Sequence, residues 1–348
     1  MAQPFDASRL ELEGEPVPLA EQVGFEGPGA RNSQLSYFSV SENGVLVYMT
    51  GISDDRHYVW FDRGGKEIGS INPAGALNDV RLSPDGKRAA FQFADRRGGA
   101  LNEDIWVADI ERNIPTRFTF DPAVEDDPVW SPDGSRILFT SQRGGKRDIY
   151  QKLSSGAGNE ELLFTSDTSK ETADWSSDGR YIIYINYDTK TKRDLWILPL
   201  FEDKQPFPFL VSEFEEAHSR FSPDGRWVAY TSDESGKTEV YVQTFPASGG
   251  KWQISTNGGE QPVWGRDGRE LFYIDPDRKL MSVEVKTGST FGVGIPKPLF
   301  DTGVSGYAAN NRYAISPDGQ RFLINVPIET QTSEPITVVL NWTADLKK

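Results

Sequence analysis

No cysteine occurs among the 348 residues, which excludes disulfides and thiolate-ligated zinc. Only two histidines are present, His57 and His218, and no His-Glu-x-x-His motif, so a transition-metal site is not expected. No run approaches the roughly 18 apolar residues of a bilayer-spanning helix, and no membrane insertion of this chain is expected. Met1 to Leu10 lacks the basic start and apolar run of a secretory signal. Positive charge is also scarce: 37 Lys and Arg stand against 52 Asp and Glu, a net charge of −15. Nucleic acid is therefore not an expected partner, since a phosphate backbone is bound by neutralising it. The basic spot at Lys190, Lys192 and Arg193 reads as a solvated hairpin tip. A Gly-x-Ser-x-Gly elbow is missing, and His218 and Ser219 are neighbours that a strand would turn to opposite faces. A Ser-His-Asp site is thus not expected, and the chain reads as non-catalytic.

What the chain does contain is a repeated turn. It reads Ser41-Glu42-Asn43-Gly44, Ser83-Pro84-Asp85-Gly86, Ser131-Pro132-Asp133-Gly134 and Ser176-Ser177-Asp178-Gly179, then Ser222-Pro223-Asp224-Gly225, Gly265-Arg266-Asp267-Gly268 and Ser316-Pro317-Asp318-Gly319. Its glycines step by 42, 48, 45, 46, 43 and 51 residues, the period of a propeller blade of roughly 40–50 residues. Proline presets φ for the first central position, serine bonds the turn amides, and glycine takes the left-handed conformation that ends a tight hairpin. Apolar and aromatic runs flank the turns, such as Val129-Trp130 before and Arg136-Ile137-Leu138-Phe139 after, as buried strands require. A third strand opens Asp104-Ile105-Trp106, Asp148-Ile149-Tyr150, Asp194-Leu195-Trp196 and Glu239-Val240-Tyr241, and a fourth follows a polar loop. The recurring Asp104, Asp148 and Asp194 read as structural, bonded to a turn or to an arginine such as Arg136 or Arg180. The recurring Trp106, Trp130, Trp175, Trp196 and Trp264 read as core.

The expected fold is all-β: one seven-bladed β-propeller over residues 1–348, with four-stranded antiparallel blades and a ring closed by an N-terminal strand joining the C-terminal blade. Met1 to Leu19 parallels Met281 to Leu299 at an offset of 280, with Gly14, Pro16, Pro18 and Leu19 on Gly294, Pro296, Pro298 and Leu299. The chain therefore starts in a third strand, Glu15 to Val23 is expected as the outer strand of the closing blade, and Pro335 to Trp342 as its third. This start fits a fragment of a longer protein and a natural split blade equally.

The Trp130-to-Gly134 turn with Asp148 to Tyr150, and Phe221 to Gly225 with Glu239 to Tyr241, resemble the TolB-type, WD-repeat-like propeller repeats, over Leu35 to Val326. Trp60 to Lys66, Phe38 to Gly44 and Val338 to Trp342 also resemble the C-terminal propeller of bacterial membrane-anchored serine/threonine protein kinases. That resemblance implies a sensor domain, extracytoplasmic if it follows a membrane anchor. It does not transfer kinase activity, because no Gly-rich phosphate loop, catalytic loop or Asp-Phe-Gly signature is present.

Counted back from each turn, polar residues stand at equivalent places: Asn78-Asp79, Asp126-Asp127, Glu171-Thr172, His218, Glu260-Gln261 and Asn311-Arg312. On a ring they crowd around one mouth of the axial channel. Asp79, Asp126, Asp127, Glu171, His218, Glu260 and Arg312 are thus the candidate ligand-binding residues. A largely acidic mouth suits a protein, a basic peptide or a small cationic ligand. Asp79 and Asp127 are candidates for a hard cation such as Ca2+, which needs only oxygen ligands; no other cofactor is expected. The competing readings are that these residues cap strand ends, and that the channel houses a hydrolase or lyase site.

Overall fold

The structure, a computed structural model, describes residues 2–17, 19, 38–41, 43–49, 56–95, 102–201, 205–288, 290–304, 311–328 and 336–343. They group into two compact units, residues 55–327 and residues 1–54 with 328–348.

The larger unit is built from six four-stranded antiparallel sheets. Sheet A comprises Tyr313–Ile315, Arg321–Pro327, Arg56–Asp62 and the first part of the long strand Glu67–Leu82. The second part of Glu67–Leu82 opens sheet B, followed by Arg88–Asp95, Asn102–Asp109 and Ile114–Arg117. Sheet C runs Glu125–Trp130, Arg136–Ser141, Asp148–Leu153 and Glu161–Phe164. Sheet D runs Lys170–Trp175, Tyr181–Asp188, Lys192–Pro199 and Phe207–Leu210. Sheet E runs Glu216–Phe221, Trp227–Ser232, Glu239–Thr244 and Lys251–Gln253. Sheet F runs Glu260–Trp264, Glu270–Ile274, Lys279–Thr287 and Lys297–Asp301, with Phe291–Val293 pairing the end of its third strand.

Both faces of these sheets are apolar, so each packs on the next. Phe91 and Leu323 lie in the cluster joining A to B, Phe139 and Ala90 in that joining B to C, and Leu138 and Tyr184 in that joining C to D. Ile183 and Tyr230 join D to E, Trp227 and Leu271 join E to F, and Phe272 and Phe322 join F to A. The turns interlock as well. A Cβ on Gly86 would meet the Pro317 ring at 2.7 Å, and the same arrangement recurs more loosely between Gly134 and Pro84, Gly179 and Pro132, and Gly268 and Pro223. Inside each turn the expected bonds form: Ser131 Oγ donates to Asp133 at 2.6 Å and accepts from Arg136 N at 2.9 Å, while Gly134 takes φ +70°.

Six of the seven expected blades are thus four-stranded sheets. The hairpin around the first turn, Phe38–Val40 with Val45–Met49, lies in the smaller unit with Ile336–Leu340, as a three-stranded sheet. This corrects the expected closure. The third strand beside Arg321–Pro327 is Arg56–Asp62, not the C-terminal segment, and Glu67–Leu82 lies outside it instead of 15–23. Burial explains the choice. A third strand between two packed sheets must be apolar on both faces, and Tyr58, Val59, Trp60 and Phe61 are at most 9% exposed. Ile336, Val338 and Leu340 leave 61%, 54% and 69% of their surface open, which a one-sided sheet tolerates. The internal parallel has a structural counterpart in the smaller unit. Ala2 bridges Val17 as Ser282 pairs with Lys297, each pair shifted by 280. Residues 18 and 20–23 of the expected outer strand lie outside the described residues.

Candidate functional site

The first strand of each of sheets B to F has a bulge at the same place, near its start. The register slips between Asn78 and Val80, Asp126 and Val129, Thr172 and Asp174, Ala217 and Arg220, and Glu260 and Val263. At four of these bulges a non-glycine residue is left-handed: Asp79 (φ 42°), Asp127 (53°), His218 (52°) and Gln261 (56°). Asp tolerates this region better than most residues, and bulges re-aim side chains and end regular pairing.

Hydrogen bonds then tie the bulges of neighbouring sheets together. Asn311 donates to Asp79 Oδ1 from its backbone N (2.6 Å) and from Nδ2 (2.9 Å). Arg312 donates from its backbone N to Gln261 Oε1 (2.7 Å) and from its guanidinium to Asn78 Oδ1 (2.8 Å). The Thr172 hydroxyl donates to the Asp127 carbonyl. Arg147 pairs with Asp126 at 2.8 Å and with Glu171, which also accepts from the Tyr187 hydroxyl at 2.6 Å.

The structure therefore brings Asp79, Asp126, Asp127 and Glu171 together on sheets B, C and D. Burial holds the Asp126 carboxyl up at about 7 despite Arg147, with Glu171 and Asp79 adding to the rise. Burial, then Asp126, Asp79 and Glu171, hold Asp127 well above the usual carboxylate range. His218 sits on sheet E with Nδ1 3.3 Å from Thr231 Oγ1. Glu260, on sheet F, is raised to about 8 by burial alone. Among the described residues, no group of three or more His, Asp and Glu side chains is placed to hold a metal ion.

Sequence reading missed three charged groups one step further along the same strands: Arg81, Asp174 and Arg220. Each stands five residues before its turn glycine, where the other repeats carry Ser39, Val129, Val263 and Ala314. That register was the available signal. Arg81 of sheet B donates to the Ala173 carbonyl of sheet D at 2.9 Å. Arg220 of sheet E donates to the same carbonyl at 2.6 Å and to Asn311 Oδ1, before sheet A, at 2.6 Å. Both side chains thus reach past an intervening sheet, which places them across the axis. Burial lowers Arg220 to about 9, with Arg81 adding to the shift, and burial also lowers Arg81.

Toward the turns these groups floor a cavity of about 280 Å³ walled by Trp130, Trp175, Trp264, Tyr313, Pro84 and Pro223. Trp130 and Trp264, expected purely as core, donate from Nε1 to the carbonyls of Arg81 (3.1 Å) and Arg220 (3.2 Å), so their rings also shape this wall. The recurring third-strand aspartates are structural, with partners other than Arg136 and Arg180. Asp104 pairs with Arg117 at 2.8 Å, Asp148 with the buried Lys170 at 3.0 Å, and Asp194 accepts from Thr191 Oγ1 at 2.5 Å.

The sheets and their axis define the class: an all-β propeller. Residues 64–205 match the family model of the TolB beta propeller domain. An uncharacterized protein of Agrobacterium fabrum is 32% identical over 171 residues, covering 47% of this chain and 54% of its own length. The uncharacterized peptidase YuxL of Bacillus subtilis is 22% identical, covering 48% of this chain and 32% of its own length. The chain spans about half the length, or less, of these relatives. A solved TolB candidate from Agrobacterium tumefaciens superposes with a TM-score of 0.65 at 19% identity, over 80% of this chain and all of that one, a likeness of fold alone. Among the described residues no helix is long and apolar enough to cross a membrane.

Proposed function

We propose that this chain is a non-catalytic recognition propeller that binds a basic peptide segment or small cation at the strand-entry mouth of its axis. The observation carrying this reading is the gathering of Asp79, Asp126, Asp127 and Glu171 on three adjacent sheets, with Arg147 in ion-pair contact with two of them. Burial raises the carboxyls of Asp126 and Asp127, and an incoming cation would displace the protons they hold. Binding should therefore strengthen as pH rises through about 7, where Asp126 loses its proton. Left-handed bulges on a rigid sheet scaffold hold these groups in place without the ligand.

Calorimetric titration with a lysine-rich peptide, and with calcium as a second arm, tests this. Asp127→Asn should weaken peptide binding at least tenfold, and affinity should be higher at pH 8 than at pH 6. Equal heats for the wild type and the variant would remove the reading. A sensor role beside a kinase is supported by the sequence likeness alone.

The alternative is a hydrolase or lyase acting in the channel. It is favoured by the peptidase names of relatives such as YuxL and the dipeptidyl-peptidase 5 of Arthroderma otae, of which the chain spans 32% and 29%. Turnover of chromogenic peptides that is lost in His218→Ala would favour it.

A further inference from the structure

The geometry points to a second binding site, at the turn end of the axis, for a carboxylate carried on an apolar or aromatic group. The argument starts from charge. Buried guanidinium groups are normally paired with carboxylates, because an unpaired buried cation is costly. Arg220 is 5% exposed, yet its guanidinium donates only to neutral acceptors: the carbonyls of Ala173 and Ser219, and Asn311 Oδ1. Arg81 donates to the same Ala173 carbonyl. Among the described residues neither has a carboxylate within ion-pair distance. The acid closest to hand, Asp174, has its Oδ2 accepting from Phe221 N at 2.8 Å. The Nε atoms of both arginines are buried and meet no acceptor.

Two guanidinium groups, with the Asp174 carboxyl beside them, thus line a cavity of about 280 Å³, and among the described residues neither is ion-paired. A guanidinium attracts a carboxylate by charge, and the charge-assisted bonds the two form are strong and directional. The rings of Trp130, Trp175 and Trp264 line the cavity beside that floor and offer faces and edges to an aromatic or aliphatic substituent. The site wants the charge opposite to that of the acidic mouth. Either a peptide C-terminus or a free carboxylic acid carries the required chemistry.

Titration calorimetry on the full chain with N-acetylphenylalanine, its amide and inorganic phosphate is the direct test. The acid should bind, the amide at least tenfold more weakly, and Arg220→Gln and Arg81→Gln should each cost tenfold or more. A tetrapeptide ending in phenylalanine, with a free or amidated C-terminus, separates the sources. Preference for the free terminus assigns the site to peptide ends, and binding of the small acid alone assigns it to free acids. In case the variants fail to fold, the arginine Nε–H resonances of the labelled wild type should shift with the acid and stay put with the amide. Equal binding of acid and amide, no binding of any carboxylate probe, or phosphate binding as tight as the acid would overturn the proposal.

Discussion

The two ends of the inner strands are made from the same six sheets yet carry opposite chemistry. At the strand-entry end, sheets B, C and D contribute four carboxyls, with Arg147 ion-paired to two of them. Only a few residues further along, sheets B and E contribute two guanidinium groups to one carbonyl, beside aromatic walls. The lesson is that a repeat sets where a residue lies on the axis, while the identity of each blade's residue sets the charge found there. A propeller of identical blades would have uniform ends; this one is polarised because its repeats differ at a few registers.

Four changes probe that contrast, from the largest expected effect downward. Phe322→Ala strikes the scaffold both ends share, because Phe322 is fully buried against Phe272 and Phe300. Chemical denaturation should show a loss of about 3–5 kcal/mol. A loss below about 1 kcal/mol would mean that the join of sheets F and A does not support the ends.

Asp79→Ala acts first at the acidic end and reaches Arg220 only through Asn311. It strips two buried Asn311 donors of their acceptor, at a cost on the order of 1–3 kcal/mol each. Asp79→Asn keeps an acceptor and tolerates the left-handed backbone, so it should recover most of that stability. If alanine and asparagine behave alike, the bonds to Asn311 are not what holds the mouth.

Glu260→Gln tests the electrostatic side. The folded carboxyl is raised to about 8, so its contribution is fully present below about pH 4.5 and lost as pH rises through about 8. Wild-type stability should therefore fall across that window by at most about 1.4 kcal/mol per pH unit from this group. The glutamine variant should show a flatter profile in denaturation midpoints measured from pH 5 to 8, and parallel profiles would contradict the burial argument.

Ser131→Ala touches only the turn rim. Losing the bonds to Asp133 and from Arg136 N should cost about 0.5–1.5 kcal/mol, read from the thermal midpoint. Carboxylate binding in the cavity should stay as in the wild type. A larger loss would show that the turns brace the arginine floor.

Much of this was legible in the residues. The glycine period, the serine–aspartate turn bonds and the polar positions ahead of each inner strand depend on neighbours in sequence, and their placement follows the pattern. Arg81 and Arg220 were overlooked because a lone charge in an apolar strand says nothing about the strand opposite it. The acids were visible as a set; their concentration on sheets B, C and D, with Glu260 set apart, was not.

Local chemistry decided the strands, the hairpins and the spacing of the repeats, since turn geometry and side-chain alternation act over a handful of residues. Tertiary packing decided which distant strands meet. Arg56–Asp62 lies beside Arg321–Pro327 because it alone is apolar on both faces, while Ile336–Leu340 pairs with Val45–Met49 and keeps one side open. Packing also brought two guanidinium groups, from sheets B and E, to a single carbonyl of sheet D, an encounter set by the wrapping of the sheets and by no single segment.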